Sequence, residues 1–230
     1  MKVGVLLLAA GSGKRFGSDI PKQYLDVAGQ PLILHTLDSL NKEPRIEAVL
    51  PVIGEGDVWF MDAVDDKSWS FELLEPVLGG EERSISMQRG LAALPADIDM
   101  VAVHDAARAL PSAPLLDDVL NVAAKYGAAV PGLPVHDTIK RINEDGKVLE
   151  TPDRSCLVAV QTPQVAKRVW FEVALLKEKD RLHLHTDDAS VLEAAGFDVF
   201  ISKGDESNRK VTTPHDMEWL KEQLEGVLKA

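Results

Sequence analysis

The chain begins with an apolar run, Val3-Gly-Val-Leu-Leu-Leu8, that continues into a glycine-rich loop, Ala9-Ala-Gly11-Ser-Gly13-Lys-Arg15-Phe-Gly17. The run carries no charged residue, which is typical of a central strand covered on both faces. The loop therefore follows the carboxyl end of a buried strand, where open α/β sheets bind their ligands. Glycines let the backbone approach phosphate groups and point its N–H groups at them. This stretch predicts an α/β fold with a phosphate-binding loop after the first strand.

The rest of the chain alternates short apolar runs with amphipathic stretches, a pattern that predicts a doubly wound, mostly parallel, Rossmann-like α/β sheet. Strands are predicted at Val3–Leu8, Ala48–Ile53, Phe71–Pro76, Met100–Val103, Ala128–Leu133, Leu157–Val160 and Val199–Ser202. Helices are predicted at Pro31–Asn41, Asp57–Asp65, Ser84–Leu94, Ala113–Tyr126, Lys167–Lys177, Asp187–Ala195 and Pro214–Leu224.

One segment, residues 135–156, departs from this alternation. Two short alternating runs, Asp137–Ile142 and Lys147–Thr151, flank an Asp-Gly turn and predict a protruding β-hairpin, hereafter the arm. An isolated hairpin is only marginally stable in water. We therefore expect the arm to lie against another surface, for which a second subunit is a natural candidate. We expect residues 1–230 to form a single domain that carries this arm.

Composition narrows the classes of function. The formal net charge of −12 argues against a general nucleic-acid or membrane surface. Residues 1–18 nevertheless contain three basic residues and no acid, which suits an anionic ligand. The single Cys156 excludes a disulfide within the chain. The first apolar run is short for a signal peptide and leads into a glycine-rich loop, so we expect a cytoplasmic protein.

The glycine-rich loop does not match the sequence patterns of two better-known phosphate-binding loops. A dinucleotide-binding fingerprint needs a third glycine where Phe16 stands, which disfavours an NAD-dependent oxidoreductase. A Walker A loop needs Ser or Thr where Arg15 stands. A glycine-rich loop alone is also compatible with a plain tight turn, but Arg15 and the following Pro21-Lys22-Gln23 favour phosphate binding. A non-catalytic nucleotide-binding protein stays open as an alternative.

The loop and the following Pro21-Lys-Gln-Tyr-Leu25 resemble the family of 2-C-methyl-D-erythritol 4-phosphate cytidylyltransferases of the non-mevalonate isoprenoid pathway. The resemblance covers almost the whole chain. It continues in the family's order through Gly79-Gly80-Glu81-Glu82-Arg83-x-x-Ser86, Val103-His-Asp-Ala-Ala-Arg108, Pro134-Val-x-Asp137-Thr-Ile-Lys140, Gln161-Thr-Pro-Gln164, Thr186-Asp-Asp188 and Asn208-x-Lys210-Val-Thr. It implies a nucleotide-diphospho-sugar transferase fold, a homodimer formed through the arm, and an active site completed partly by the partner subunit.

The resemblance implies transfer of CMP from CTP to the 4-phosphate of methylerythritol, with release of pyrophosphate and Mg²⁺ or another divalent cation as cofactor. Both reactants are anionic, so catalysis is chiefly positioning and electrostatic neutralisation. By resemblance the catalytic residues are Arg15, Lys22, Arg154 and Lys210, and the metal ligand is Asp105. His104 is expected to be a packed neighbour of Asp105 rather than a general base.

The same resemblance implies two sets of binding residues. The nucleotide is assigned to Ala9, Ala10, Gly11, Gly13, Arg15, Lys22, Gly80, Glu81, Ser86, Asp105 and Ala106. The polyol phosphate is assigned to Asp105, Arg108, Thr138, Arg154, Thr162, Thr186 and Lys210. The chain departs from the family at Glu81, where Asp is common, and at Ala109, where Pro is usual.

The nearest rival is a cytidylyltransferase for ribitol 5-phosphate or another polyol phosphate, which shares the loop and the aspartate motif. Ala10 and Asp137-Thr-Ile-Lys140 favour the methylerythritol enzyme.

Overall fold

A mixed nine-stranded sheet forms the centre of the described chain, which comprises residues 1–11, 16 and 20–228 of a computed structural model. The strands of the structure are β1 (Val3–Leu8), β2 (Asp26–Val27), β3 (Gln30–Pro31), β4 (Ile46–Ile53), β5 (Glu72–Leu73), β6 (Val77–Leu78), β7 (Met100–Asp105), β8 (Ala128–Pro134), β9 (Arg141–Ile142), β10 (Val148–Glu150), β11 (Val158–Val160), β12 (Gln164–Lys167) and β13 (Phe200–Lys203). The helices are α1 (Leu32–Leu40), α2 (Phe60–Val64), α3 (Arg83–Ala93), α4 (Ala113–Tyr126), α5 (Arg168–Lys177), α6 (Asp188–Ala194) and α7 (Pro214–Leu228).

The strand order is β11-β8-β12-β7-β1-β4-β5, with β13 paired to β8 and β6 paired to β4. The first strand, β1, lies parallel between β4 and β7, which confirms the predicted parallel centre of the sheet. Strand β12 runs antiparallel between β7 and β8. It was absent from the predicted strands, because its sequence, Gln164-Val-Ala-Lys167, is short and does not alternate in the way that marks a strand.

Side chains of β1 alternate between two hydrophobic cores. Val3, Val5 and Leu7 pack into a core with apolar residues of α1 and α4, whereas Leu6 packs into a second core with residues of α3, α5 and α6. Both faces of the strand are therefore removed from water, and this burial explains why the run contains no polar residue. The layered arrangement confirms a doubly wound α/β fold.

Local sequence explains where the helices begin and end. Helix α4 spans the predicted residues, because Ser112 accepts a hydrogen bond from Leu115 N at its start and Gly127 follows its last residue with φ of +103°. Helix α6 begins after Asp187, which forms a capping box with Ser190. None of the helices in the described ranges combines the length and apolar character needed to cross a bilayer.

The predicted strand at Phe71–Pro76 and the arm differ in extent from the observed strands, and the short strands β2 and β3 were not predicted. The expected strand Phe71–Pro76 is divided into β5 and β6, and Pro76, which cannot donate a ladder hydrogen bond, lies between them. The predicted hairpin of the arm is confirmed with shorter strands, β9 and β10. Three apolar side chains of these strands, Ile142, Val148 and Leu149, are more than half exposed, so within one chain the arm leaves apolar surface uncovered.

Candidate active site

A cleft of about 380 Å³ opens at the carboxyl ends of β1 and β7. Ten of the residues predicted to bind or react line it: Ala9, Ala10, Gly11, Lys22, Gly80, Glu81, Ser86, Asp105, Ala106 and Lys210. Six residues that the sequence did not assign to the site also line it: Leu8, Gln23, Glu82, Arg83, Ala107 and Thr212. The structure therefore brings together most of the predicted nucleotide site.

The register of the parallel strands explains this convergence. Leu8 of β1 lies beside Asp105 of β7, and Ala106 N donates to Leu8 O at 3.1 Å. The chain that leaves β1 and the aspartate that ends β7 consequently meet at one edge of the sheet, as expected for a ligand site in an open α/β sheet.

The Pro-Lys-Gln segment is tied to the first strand and to the far end of the chain. Gln23 is buried, and its Nε2 donates to Ala9 O at 2.6 Å. Lys22 Nζ donates to Val211 O at 2.6 Å, so it lies beside the segment that carries Lys210. Residues 12–15 and 17–19 are outside the described residues, and the predictions for Gly13 and Arg15 fall there.

The turn before α3 forms another wall of the cleft. Ser86 Oγ accepts a hydrogen bond from Gly80 N at 3.0 Å and donates to Glu82 O at 3.1 Å. A Cβ atom added at Gly79 would lie 2.6 Å from Ala10 Cβ, so this turn packs against the loop after β1. A side chain at position 79 would therefore collide with the side chains of Ala10 and Ser86, which explains the glycine.

Asp105 is buried among three cations of the described chain. Arg83 Nη1 donates to its Oδ1, while Lys210 Nζ lies 2.7 Å and Arg108 Nε 3.8 Å from its Oδ2. Burial by itself would raise the pKa of Asp105, but the charges of Arg83 and Lys210 outweigh it and hold the pKa well below its ordinary range. The carboxylate is therefore ionised at neutral pH.

A hard divalent cation fits this carboxylate. Mg²⁺ is commonly held by one or two carboxylates together with substrate phosphates. No group of three or more metal-binding side chains occurs in the part of the chain that the structure describes. A cation at Asp105 would thus take its remaining oxygen ligands from the nucleotide and from water.

Arg83 belongs to the Gly79-Gly80-Glu81-Glu82-Arg83 motif, and the sequence alone indicates no role for it. Its guanidinium also contacts Asp188, the first residue of α6, with Nε and Nη2 at 3.1 and 2.6 Å from Oδ2. The two residues are 105 positions apart, and no spacing in the sequence indicates their pairing.

His104 and Thr162 form a buried network behind Asp105. Asp105 N donates to Thr162 Oγ1 at 3.1 Å, so the hydroxyl hydrogen is left to donate to His104 Nδ1, which lies 3.0 Å away. His104 Nε2 then carries the ring hydrogen and donates to Arg108 O at 3.1 Å. Burial lowers the pKa of His104 to about 4, so the ring is neutral at pH 7 and suits a packed neighbour better than a base.

The other predicted substrate residues lie outside the cleft. Thr162 is buried, and Arg108 points its Nη1 at Asn208 O, 2.8 Å away. Thr138, Arg154 and Thr186 are not among the described residues that line the cleft. Arg154 Nη1 donates to His136 O at 2.5 Å, within the arm. Within one chain, the arm residues Thr138 and Arg154 therefore do not line the cleft that contains Asp105.

A doubly wound sheet whose cleft at the strand ends is lined by glycines, Lys22, Arg83 and Lys210 is compatible with the class of nucleotidyltransferases. Comparison with known proteins identifies the family. The model of the 2-C-methyl-D-erythritol 4-phosphate cytidylyltransferase (IspD) family matches residues 3–225. The chain belongs to this family.

Individual relatives are similar to this chain over nearly its whole length. The 2-C-methyl-D-erythritol 4-phosphate cytidylyltransferase of Alkaliphilus metalliredigens is 38% identical over 217 residues, 94% of this chain and 90% of that protein. The crystal structure of the enzyme of that name from Thermus thermophilus is 31% identical, with a TM-score of 0.77 and coverage of 97% and 98% of the two chains. The 4-diphosphocytidyl-2C-methyl-D-erythritol synthase of Anaerococcus prevotii is 26% identical, with a TM-score of 0.85 and the same coverage.

Proposed function

We propose that this protein transfers CMP from CTP to 2-C-methyl-D-erythritol 4-phosphate, giving 4-diphosphocytidyl-2-C-methyl-D-erythritol and pyrophosphate. The observation that carries the proposal is the convergence of Lys22, Asp105 and Lys210 in one cleft at the end of the first strand. Relatives named for this activity match nearly the whole chain. The reaction belongs to the non-mevalonate route to isoprenoids.

The reaction is a displacement at the α-phosphorus of CTP. An oxygen of the methylerythritol phosphate forms a bond to that phosphorus, while the bond to the β-phosphate bridging oxygen breaks and pyrophosphate leaves with its electron pair. The attacking phosphate is already ionised near neutral pH, so no general base is needed. Electrostatic stabilisation of the crowded phosphoryl oxygens is then the main task of the protein.

The cations divide this task. Lys22 and Arg15 neutralise the α-phosphoryl oxygens, and a guanidinium such as that of Arg15 can bind two oxygens at once. Lys210 and Arg154 orient the attacking phosphate. Lys210 already lies on the cleft side of Asp105, which supports its placement between the two reactants.

The nucleotide lies between the loop after β1 and the turn before α3. Small residues and backbone groups of Ala9, Ala10, Gly11, Gly13, Gly80 and Ala106 surround the cytidine, and Glu81 and Ser86 supply polar contacts. Asp105 is the residue that would hold Mg²⁺ or another divalent cation, and such a cation would supply neutralisation of phosphate charge.

The arm carries the remaining substrate contacts in a homodimer. Thr138 and Arg154 are exposed on it, and its uncovered apolar side chains, Ile142 and Leu149, support burial against a partner subunit. Arg108 and Thr186 complete the proposed polyol-phosphate site, whereas Thr162 supports Asp105 from behind through its contacts with Asp105 N and His104. With CTP as substrate, we place the enzyme in the cytoplasm.

A substitution in the arm tests the dimer. Leu149→Asp places a charge on a side chain that is 58% exposed in one chain, so the monomer should fold normally. We expect sedimentation velocity to show loss of the dimer and kinetics to show loss of activity. A monomeric wild-type protein with full activity would contradict completion of the site in trans.

Pyrophosphate release tests the reaction. The purified protein is incubated with CTP and Mg²⁺ and with either 2-C-methyl-D-erythritol 4-phosphate or ribitol 5-phosphate. We expect turnover with the first acceptor and little with the second. Faster turnover with ribitol 5-phosphate would reassign the substrate, and CTP binding without turnover on either acceptor would indicate a non-catalytic nucleotide-binding protein.

A further inference from the structure

The Arg83 guanidinium joins two carboxylates from different elements at the floor of the cleft. Nη1 contacts Asp105 at the end of β7, while Nε and Nη2 contact Asp188 at the start of α6. Arg83 is itself the first residue of α3. Asp188 is only 1% exposed. The ion pairs from Asp105 through Arg83 to Asp188 therefore anchor the cleft carboxylate to the interior of the protein.

We propose that Arg83, held by Asp188, is a positioning residue that orients the Asp105 carboxylate toward the divalent cation and the nucleotide phosphates. The inference rests on the proposed function, because that function makes Asp105 the metal ligand. Arg83 acts through Asp105 and does not itself contact the reacting atoms.

The geometry separates the tasks of the two carboxylate oxygens. Arg83 binds Oδ1, whereas Lys210, which lines the cleft, lies 2.7 Å from Oδ2. A planar guanidinium fixes the direction of its hydrogen bonds, so Arg83 restricts the position of Oδ1, while Oδ2 keeps its contact with Lys210 of the cleft. A lysine ammonium at position 83 could not hold Asp105 and Asp188 in the same fixed geometry.

Asp188 balances the charge of Arg83. Three of the five N–H groups of Arg83 donate to carboxylates, so most of its hydrogen bonding is directed at Asp105 and Asp188. Burial raises the pKa of Asp188, and the charge of the adjacent Arg83 opposes that rise. Without the Asp188 carboxylate, the positive charge of Arg83 would act on Asp105 alone. The potential at Oδ2 would then become less negative, and a divalent cation would bind more weakly.

The test compares Arg83→Lys and Asp188→Asn with wild type. The first reading is the Mg²⁺ concentration that gives half-maximal rate at saturating CTP and acceptor. The second, independent of turnover, is the affinity for Mn²⁺ in the presence of CTP and without acceptor, measured by electron paramagnetic resonance. We expect both variants to need about tenfold more metal in both measurements, while KM for the acceptor changes less than about twofold.

Arg45 provides a matched control. It also joins two carboxylates, with Glu43 at 2.7 Å and Asp117 at 2.7 Å, and it does not line the cleft. Arg45→Lys and Glu43→Gln should leave both metal measurements unchanged.

Three results would overturn the proposal. A lower kcat for Arg83→Lys with unchanged metal dependence would mean that Arg83 contacts the substrate directly. A lower melting temperature with normal kinetics of the folded protein would mean a purely structural ion pair. Equal effects in the Arg45 and Arg83 series would mean a general loss of stability. These results can be distinguished from failure of the proposed function, because in that case the wild-type protein itself would release no pyrophosphate.

Discussion

Replacing Thr162 with Val tests whether this hydroxyl supports Asp105 from behind or contacts the substrate. Valine nearly preserves the volume and removes the hydroxyl that joins Asp105 N to His104 Nδ1, at 3.1 and 3.0 Å. Both partners are buried, and each unsatisfied buried group costs about 1–3 kcal/mol, so the free energy of unfolding should fall by about 2–6 kcal/mol. At roughly 2–4 °C per kcal/mol for a chain of this size, the melting temperature should fall by at least about 4 °C.

The assay combines urea unfolding with steady-state kinetics. Thr36→Val is the matched control, because Thr36 is also buried, but its hydroxyl donates only to backbone carbonyls, Ala106 O at 2.9 Å and Leu32 O at 3.5 Å. Thr36→Val should therefore cost about half as much as Thr162→Val. The reasoning is refuted if Thr162→Val keeps wild-type stability and instead raises KM for the polyol phosphate, since the hydroxyl would then serve the substrate.

Three further predictions concern the cleft and its support. Lys22→Ala should lower kcat by roughly 10²-fold or more, because a transition-state electrostatic contact is lost; wild-type turnover in a kinetic assay would remove Lys22 from the mechanism. The pKa of His104 is about 4 in the folded protein and about 6.5 when unfolded, so the unfolded chain binds the extra proton between these values. The contribution of neutral His104 to the free energy of unfolding is fully present above pH 6.5 and should fall by about 3 kcal/mol as the pH drops to 4. His104→Gln should remove this part of the pH dependence, which urea titrations at several pH values would measure. Gly79→Ala should raise KM for CTP, because its Cβ would lie 2.6 Å from Ala10 Cβ; Gly54→Ala, 3.6 Å from Ala10 O, should not, and equal KM values would contradict the packing argument.

The centre of the fold, and the convergence of the residues that follow β1 and β7 at one edge of the sheet, were predictable from the sequence. An apolar run covered on both faces predicts a central strand, and parallel strands place their carboxyl ends at one edge. Leu8 and Asp105 are neighbours for this reason, and the chain that leaves β1 therefore reaches the aspartate. The antiparallel β12 was not predictable, because its four residues alternate too little to distinguish a strand from a loop.

The contacts that hold Asp105 in place, made by Arg83, Asp188 and Thr162, could not be predicted from the sequence. Arg83 and Asp188 meet only because α3 and α6 begin on the same side of the sheet, and no local pattern encodes that meeting. Thr162 was assigned to the substrate by resemblance, while its hydroxyl in the fold joins His104 and a backbone N–H. The roles assigned to Arg154 and Thr138 stay predictions, since they depend on a partner subunit.

The acidity of the chain and the cations of the cleft are parts of one electrostatic arrangement. The formal net charge is −12, yet Arg83, Arg108 and Lys210 surround a single cleft carboxylate. Cations gathered without counter-ions would repel one another in the folded protein, and Asp105 and Asp188 offset that repulsion. In the proposed reaction, a phosphate would compete with Asp105 for the ammonium of Lys210, which lies 2.7 Å from Oδ2. Charge balance within the cleft thus prepares the neutralisation that the transfer of CMP requires.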